Sequence, residues 1–268
     1  MNPVKRITAI AAVVASAAAL WFLAKPEGRR IRIHSLILDE TRTLLLDLPP
    51  DYATSGRSFP VLFILDALNR STTYGPSFFR VASRIKEMGK EGLPPMILVG
   101  VVNTQRPRDM LPVKTDLEPG SGQASRFLQF FDRELIPRIE KEFRTSGERL
   151  VYGRSDSGLF VLYALLEKPA LFTAHIASSP TVGFCPEWIR RQTERLFGGR
   201  PTAKTCLFII SGENDIPLVK DALPDVVGEF RRLRTAPFRF EAVVVAGGGH
   251  VPESGLFHGL RFVFSGTR

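Results

Sequence analysis

With 268 residues, the chain is long enough for one large domain, and its 44% hydrophobic and 24% charged residues exclude a mainly disordered protein. Its formal net charge of +9 comes from scattered Lys and Arg residues without an aromatic-interleaved basic run, so we expect no nucleic-acid binding. The two cysteines, Cys185 and Cys206, are too few for a disulfide framework. No Cys/His cluster indicates a metal, and we expect no cofactor.

The first 30 residues are typical of a signal peptide or signal-anchor followed by a short linker. Lys5 and Arg6 precede an apolar run over residues 7–24, which is at the short end for crossing a bilayer. An uncleaved signal-anchor is favoured, and cleavage after the Ala-Ser-Ala run at residues 15–17 is the alternative. The basic residues after the run argue against export. The signal pattern nevertheless favours an extracytoplasmic (periplasmic) domain, either membrane-anchored or secreted.

From residue 31 to residue 268, the patterning predicts a single catalytic domain in which strands alternate with helices. The predicted strands cover residues 31–38, 43–48, 60–66, 95–102, 150–153, 172–178, 205–211 and 238–246, and the predicted helices cover 78–88, 125–143, 158–166, 226–233 and 255–264. Pro137 predicts a kink or a break in the longest helix. The alternation indicates an α/β fold with a mostly parallel sheet covered on both faces, preceded by the N-terminal hydrophobic helix.

The most informative motif is a strand, a tight Gly/Ser turn and a helix over residues 150–166. Ser155 lies in the turn, where a side chain at a helix N-terminus is exposed beside backbone N–H groups. Such a serine is suited to nucleophilic attack that creates an oxyanion. Taken alone, Ser155 and the following Asp156 are equally typical of a helix cap.

Two further residues complete a candidate triad in the order serine, acid, histidine. Asp215 follows the strand at 205–211, and His250 follows the strand at 238–246 after three glycines. Because parallel strands end at one edge of a sheet, we expect Ser155, Asp215 and His250 to meet there. Taken alone, Asp215 is typical of a turn and His250 is typical of a loop. His258 is the alternative candidate for the base. The predicted oxyanion hole uses the backbone N–H groups of Asp156 and Ala67.

Several segments over residues 35–264 together resemble the esterase branch of the α/β-hydrolases, which includes esterase D, the enterobactin esterases and the mycolyltransferases. The resemblance is carried by the strand at 60–66, the loop at 106–112 (RPRDMLP), the helix at 134–145, the Ser-Pro pair at 179–180 and the closing helix at 259–262. It implies an α/β-hydrolase fold, with Ser155 as nucleophile and His250 as base. The acid stays open between Asp215, which fits the family spacing, and Glu213.

The chain departs from this family pattern around the serine. Ser157 stands where glycine is usual, and Asp156 stands where an apolar or neutral residue is usual. A carboxylate beside an oxyanion-binding N–H opposes the developing negative charge unless it is paired or turned away. Arg154 or Arg108 is the expected partner of Asp156.

We therefore expect a serine hydrolase that cleaves carboxylic esters through an acyl-enzyme intermediate, with siderophore-type or other acyl esters as candidate substrates. Two alternatives stay open: an acyltransferase to a lipid or sugar alcohol, and a non-catalytic membrane-anchored binding protein on a hydrolase fold. The expected partners are a small-molecule ester and, through the N-terminal segment, a membrane. Substrate-contacting residues are expected in segments 68–79, 113–123 and 180–202. The sequence of these segments does not predict the acyl group or the alcohol group of the ester.

Overall fold

The computed structural model describes residues 29–67, 77–198, 204–232 and 238–265. The predicted N-terminal segment lies outside these ranges, except that the first strand already begins at Arg29, inside the predicted linker. None of the helices in the described ranges combines the length and the apolar character needed to span a bilayer. Membrane attachment through the N-terminus therefore stays a prediction.

The described residues form an eight-stranded sheet. Its strands are β1 (Arg29–Ser35), β2 (Glu40–Asp47), β3 (Phe59–Ile64), β4 (Ile97–Val101), β5 (Thr145–Arg154), β6 (Ala174–Ser178), β7 (Cys206–Gly212) and β8 (Arg239–Val245). The spatial order is β1-β2-β4-β3-β5-β6-β7-β8. Strands β1 and β2 are antiparallel to each other, β2 is antiparallel to β4, and all other neighbours are parallel. The predicted mostly parallel α/β sheet is thereby confirmed.

Helices cover both faces of the sheet. They are α1 (Phe78–Gly89), α2 (Arg106–Met110), α3 (Ala124–Phe130), α4 (Ile136–Glu142), α5 (Asp156–Glu167), α6 (Pro186–Gly198), α7 (Pro217–Lys220), α8 (Leu223–Arg232) and α9 (Gly255–Phe264). One hydrophobic core lies on one face of the sheet, beneath helices α3 to α6 and α8. A second core lies on the other face, beneath α1 and α9. The central strands are buried on both sides, which explains their continuous apolar sequences.

The long helix predicted over residues 125–143 is broken, as Pro137 indicated. A π-helical turn at Phe131–Leu135 separates α3 from α4, and Pro137 lies in the first turn of α4. The backbone stays helical through the π-helical turn, which lies just before the proline whose missing N–H interrupts the helical hydrogen bonds. The interruption leaves Phe127 and Phe131 in edge-on contact beside Phe160 of α5, in the centre of the larger core.

Helix α6 lies in segment 180–202, in which we expected substrate-contacting residues and predicted no helix. Trp188 stacks on Tyr163 of α5 with ring centroids 5.2 Å apart, so its role is packing. Arg190 forms ion pairs with Glu187 and Glu194 on the exposed face of the helix. Trp188 therefore packs α6 against α5, whereas Arg190, Glu187 and Glu194 form part of its solvated surface.

His175 of β6 is completely buried and lies away from the serine. Its Nδ1 is 3.4 Å from the carbonyl of Cys206 and 3.2 Å from the hydroxyl of Thr205. Burial lowers the pKa of this imidazole to about 3, because the charged form loses its hydration. The folded protein therefore keeps His175 neutral at a pH at which the unfolded chain protonates it.

We predict that His175 makes the fold sensitive to mild acid. Between an unfolded pKa near 6.5 and the folded value, only the unfolded state binds the proton, so stability falls as pH falls. Wild type should lose about 1.5 kcal/mol more than His175→Leu between pH 6.5 and pH 5 in urea denaturation. The exposed His34 supplies a control, since His34→Asn should behave like wild type. Equal losses in wild type and His175→Leu would contradict the assignment.

Gly153 at the end of β5 allows the close approach between this strand and the start of α5. A Cβ at this position would lie 2.1 Å from the carbonyl oxygen of Ser157, a distance that no relaxed side chain adopts. The contact is with backbone, so it cannot be relieved by a rotamer change. Gly153 thus allows the sharp reversal from strand to helix at residues 153–157, hereafter the elbow.

Substitution of Gly153 by alanine should destabilise the protein by more than about 3 kcal/mol, because the elbow backbone must move. The matched control is Gly89→Ala at the end of α1, where an added Cβ meets nothing within 4 Å. That change should alter stability by less than about 1 kcal/mol. Urea denaturation of the two variants measures the difference, and similar small losses in both would refute the steric argument.

Candidate functional site

Ser155 occupies a strained backbone position between β5 and α5. Its φ of 57° and ψ of −123° lie outside the regions that residues with a side chain ordinarily adopt. The conformation is held by its neighbours, since its N–H donates to the carbonyl of Ser178 at 2.9 Å and its carbonyl accepts from the N–H of Leu159 at 3.0 Å. The elbow therefore presents the Ser155 hydroxyl at the carboxyl edge of the sheet, beside the first turn of α5.

The structure brings Ser155, His250 and Asp215 together in one hydrogen-bonded chain. Ser155 Oγ is 3.0 Å from His250 Nε2, and His250 Nδ1 is 2.6 Å from Asp215 Oδ1. An ionised carboxylate only accepts hydrogen bonds, so Nδ1 carries the proton and Nε2 accepts from the serine. The three residues follow β5, β8 and β7 respectively, at the same edge of the sheet.

Asp215 is held as a carboxylate. Burial by itself would raise its pKa, but hydrogen bonds outweigh burial and lower the pKa below its ordinary value. The donors are the ring of His250, the hydroxyl of Ser179 and the backbone N–H groups of Gly212 and Ile216. A fixed negative charge at this position orients the imidazole.

Ser179 is a site residue for which the sequence analysis found no role. Its hydroxyl donates to Asp215 Oδ2 at 2.5 Å and accepts from the N–H of Val251 at 2.9 Å. Ser179 and Val251 both have positive φ, 46° and 58°, which is uncommon for residues other than glycine. One hydroxyl therefore connects the loop that carries the acid to the loop that carries the histidine. The Ser-Pro motif marked the position without revealing this bridge.

The rival residues lie elsewhere. Glu213 accepts a hydrogen bond from the N–H of Gly247 at 2.7 Å, so it supports the turn before His250 without touching the imidazole. His258 is exposed on α9, and His34 is exposed on β1.

The second predicted oxyanion donor requires a correction. The N–H of Ala67 donates to the carbonyl of Val101 at 3.1 Å, so the sheet directs this group away from the serine. The next residue, Leu68, lies outside the described residues. Asp156 begins α5, where the N–H groups of the first turn have no partner within the helix, and its role as an oxyanion donor stays a prediction.

The expected partner of the Asp156 carboxylate also requires a correction. Arg108 instead pairs with Glu40 and Asp109. Arg106, which was not among the expected partners, contacts Asp156 Oδ2 through its Nη1. Because α2 was not predicted as a helix, the sequence did not indicate which of the two arginines faces the serine.

Ser157, which replaces the usual glycine, fits the elbow without distorting it. Its hydroxyl donates to Asp66 Oδ2 at 2.6 Å and accepts from the N–H of Arg154 at 2.8 Å. The side chain thus connects the elbow to the end of β3. The substitution adds a buried, satisfied hydrogen-bonding group, so it does not obstruct the serine.

Ser155 and His250 line a cavity of about 550 Å³, a volume typical of small-molecule sites. Phe184, Ile216 and Leu218 contribute apolar wall. Charged and polar wall comes from Asn103, Arg106, Glu118 and Arg154. Such a cavity is suited to a ligand with both apolar and polar parts.

Comparisons with known proteins agree with this geometry. An IroE-like serine hydrolase from Shewanella oneidensis superposes with a TM-score of 0.80 at 28% identity, over 89% of this chain and 80% of that one. The BES protein from Bacillus cereus superposes with a TM-score of 0.77 at 22% identity, over 89% and 95% of the two chains, and shows the fold alone. The predicted α/β-hydrolase fold is confirmed.

Sequence relatives point to the same family. The ferri-bacillibactin esterase BesA of Bacillus subtilis is 30% identical over 186 residues, which is 62% of this chain and 63% of that protein. The siderophore triacetylfusarinine C esterase of Aspergillus fumigatus is 32% identical over 80 residues, 29% of this chain and 27% of that one. The match thus spans less than two thirds of either relative. The family model described as "Putative esterase" matches residues 35–214, and the chain belongs to that family.

Proposed function

We propose that the protein is a serine hydrolase that cleaves carboxylic esters through an acyl-enzyme intermediate. The observation that carries the proposal is the chain from Ser155 through His250 to Asp215, at 3.0 and 2.6 Å, at a strained elbow in a cavity wall. This arrangement has the roles and distances required for nucleophilic acyl transfer.

The reaction proceeds in two halves. Ser155 Oγ attacks the ester carbonyl while His250 Nε2 takes its proton, and the N–H of Asp156 binds the developing oxyanion. Collapse of this intermediate expels the alcohol, to which His250 returns the proton, and leaves an acyl group on Ser155. A water molecule activated by His250 then releases the acid and regenerates the serine. Asp215 stabilises the imidazolium in both halves.

For the substrate, we propose a siderophore-type acyl ester. The support comes from the names of the two relatives, a ferri-bacillibactin esterase and a triacetylfusarinine C esterase. The cavity, with an apolar wall beside charged groups, is compatible with a polyfunctional ester of this kind. Location at a membrane through residues 1–30 remains a separate prediction.

The test of the proposed nucleophile compares the full-length wild type with Ser155→Ala. The variant should lose fluorophosphonate labelling and at least about 10⁴-fold of kcat on p-nitrophenyl butyrate, because no acyl-enzyme can form. The control is Ser83→Ala, an exposed serine on α1 whose hydroxyl bonds only within its own helix. Turnover that persists in Ser155→Ala would refute the mechanism, and unlabelled, folded wild type would favour a binding function.

The acid is tested by two isosteric changes. Asp215→Asn should lower kcat by about 10²–10⁴-fold, because an amide in place of the carboxylate no longer holds the imidazole in the required tautomer. Glu213→Gln keeps an oxygen to accept from Gly247 and should stay within about threefold of wild type. Circular dichroism establishes that both variants are folded. The reverse order of effects would assign the acid to Glu213.

A further inference from the structure

Arg106 joins the end of β3 to the elbow. Its Nε is 3.0 Å from Asp66 Oδ1 and its Nη2 is 3.2 Å from Asp66 Oδ2, a two-pronged ion pair. Its Nη1 contacts the Asp156 carboxylate, and its Nη2 also lies 3.2 Å from the carbonyl oxygen of Arg154. One guanidinium thus contacts three parts of the wall around Ser155.

The carboxylate of Asp156 belongs to the residue whose backbone N–H is the proposed oxyanion donor. An unpaired negative charge there would raise the energy of the tetrahedral intermediate, since both carry negative charge in a site of low dielectric. In the structure both of its oxygens are engaged, Oδ2 by Arg106 and Oδ1 by the hydroxyl of Thr181 at 2.9 Å. The carboxylate is therefore held by partners on two sides.

Arg106 also balances a second buried carboxylate. Burial would raise the pKa of Asp66, but the charge and hydrogen bonds of Arg106, with hydrogen bonds from Asn103 and Ser157, lower it below its ordinary value. Asp66 and Asp156 both contact the guanidinium of Arg106. The other charged or titratable groups lining this cavity are Glu118, Arg154 and His250.

We propose that Arg106 is a positioning residue of the esterase site, which holds the Asp156 carboxylate and offsets its charge so that the Asp156 N–H can bind the oxyanion. This inference rests on the proposed function. It explains how the site can function with an aspartate at position 156. Arg106 acts through Asp156 and needs no contact with the ester. Its loss should therefore lower kcat more than it changes KM.

The experiment is a double-mutant cycle in the full chain, with p-nitrophenyl butyrate as the probe. Arg106→Gln should lower kcat by about 10²-fold, with KM changed by less than about threefold, because the N–H would then face an unbalanced carboxylate. The double variant Arg106→Gln/Asp156→Asn should have a kcat at least about tenfold higher than that of Arg106→Gln, because the negative charge that opposes the oxyanion is then absent. A purely structural loss would not be repaired by this second change.

Arg108→Gln is the matched control, because Arg108 lies on the same short helix and pairs with Glu40 and Asp109 away from the cavity. Its kcat per folded protein should stay within about threefold of wild type. An Arg106→Gln variant that matches this control, or a loss that Asp156→Asn fails to restore, overturns the proposal.

Asp156→Asn alone completes the cycle. The Arg106→Gln change should cost at least about tenfold less in kcat in the Asp156→Asn background than in wild type, because the carboxylate that Arg106 offsets is then absent. An equal cost in the two backgrounds overturns the proposal. Fluorophosphonate labelling distinguishes failure of the esterase proposal from failure of the Arg106 proposal. Wild type that is neither labelled nor active overturns both proposals. Labelled, active wild type together with an Arg106→Gln variant of unchanged kcat overturns only the role of Arg106.

Discussion

The backbone strain at Ser155 is the constraint on which the site depends. A residue with a side chain is held at a φ of 57° between a strand and a helix, which costs of the order of 1–3 kcal/mol and persists only where surrounding contacts impose it. Those contacts come from parallel strand β6, from the first turn of α5 and from the close approach of backbone that Gly153 allows. The two hydrophobic cores that hold β5 and α5 in place therefore also determine where the hydroxyl points.

Around this fixed serine, the acid and the histidine are held by hydrogen bonds between loops. Asp215 and His250 sit on separate loops after β7 and β8, and neither loop is part of a helix or strand that would orient it. Ser179 connects the two through a single hydroxyl, and Glu213 supports the glycine turn before His250. The imidazole thus keeps its orientation because three loops share hydrogen bonds.

The opposite side of the elbow is an ionic network that this chain requires because it carries Asp156. Buried charges are costly unless they are paired and hydrogen-bonded, and here two carboxylates share one guanidinium. Asn103, Ser157 and Thr181 supply the remaining hydrogen bonds. The hydroxyl at position 157, which departs from the family pattern, is one of these partners. The two unusual elbow residues are therefore accommodated by a single network, which would not form without the arginine of the 106–110 helix.

The sequence by itself determined the approximate strands and the fold class, and it named Ser155 and His250 as members of the hydrogen-bonded chain, with the acid left open between Asp215 and Glu213. Buried parallel strands need continuous apolar runs, and residues that follow such strands must gather at one sheet edge, so chain order placed Ser155, Asp215 and His250 together. Tertiary structure alone decided which arginine pairs with Asp156, that the Ala67 N–H is taken up by Val101, and that Ser179 bridges two loops. These choices depend on the directions of individual groups across elements far apart in the chain. Arg106 and Arg108 are two residues apart and so point to nearly opposite sides of their short helix, and no periodicity in the sequence records which of the two faces the elbow.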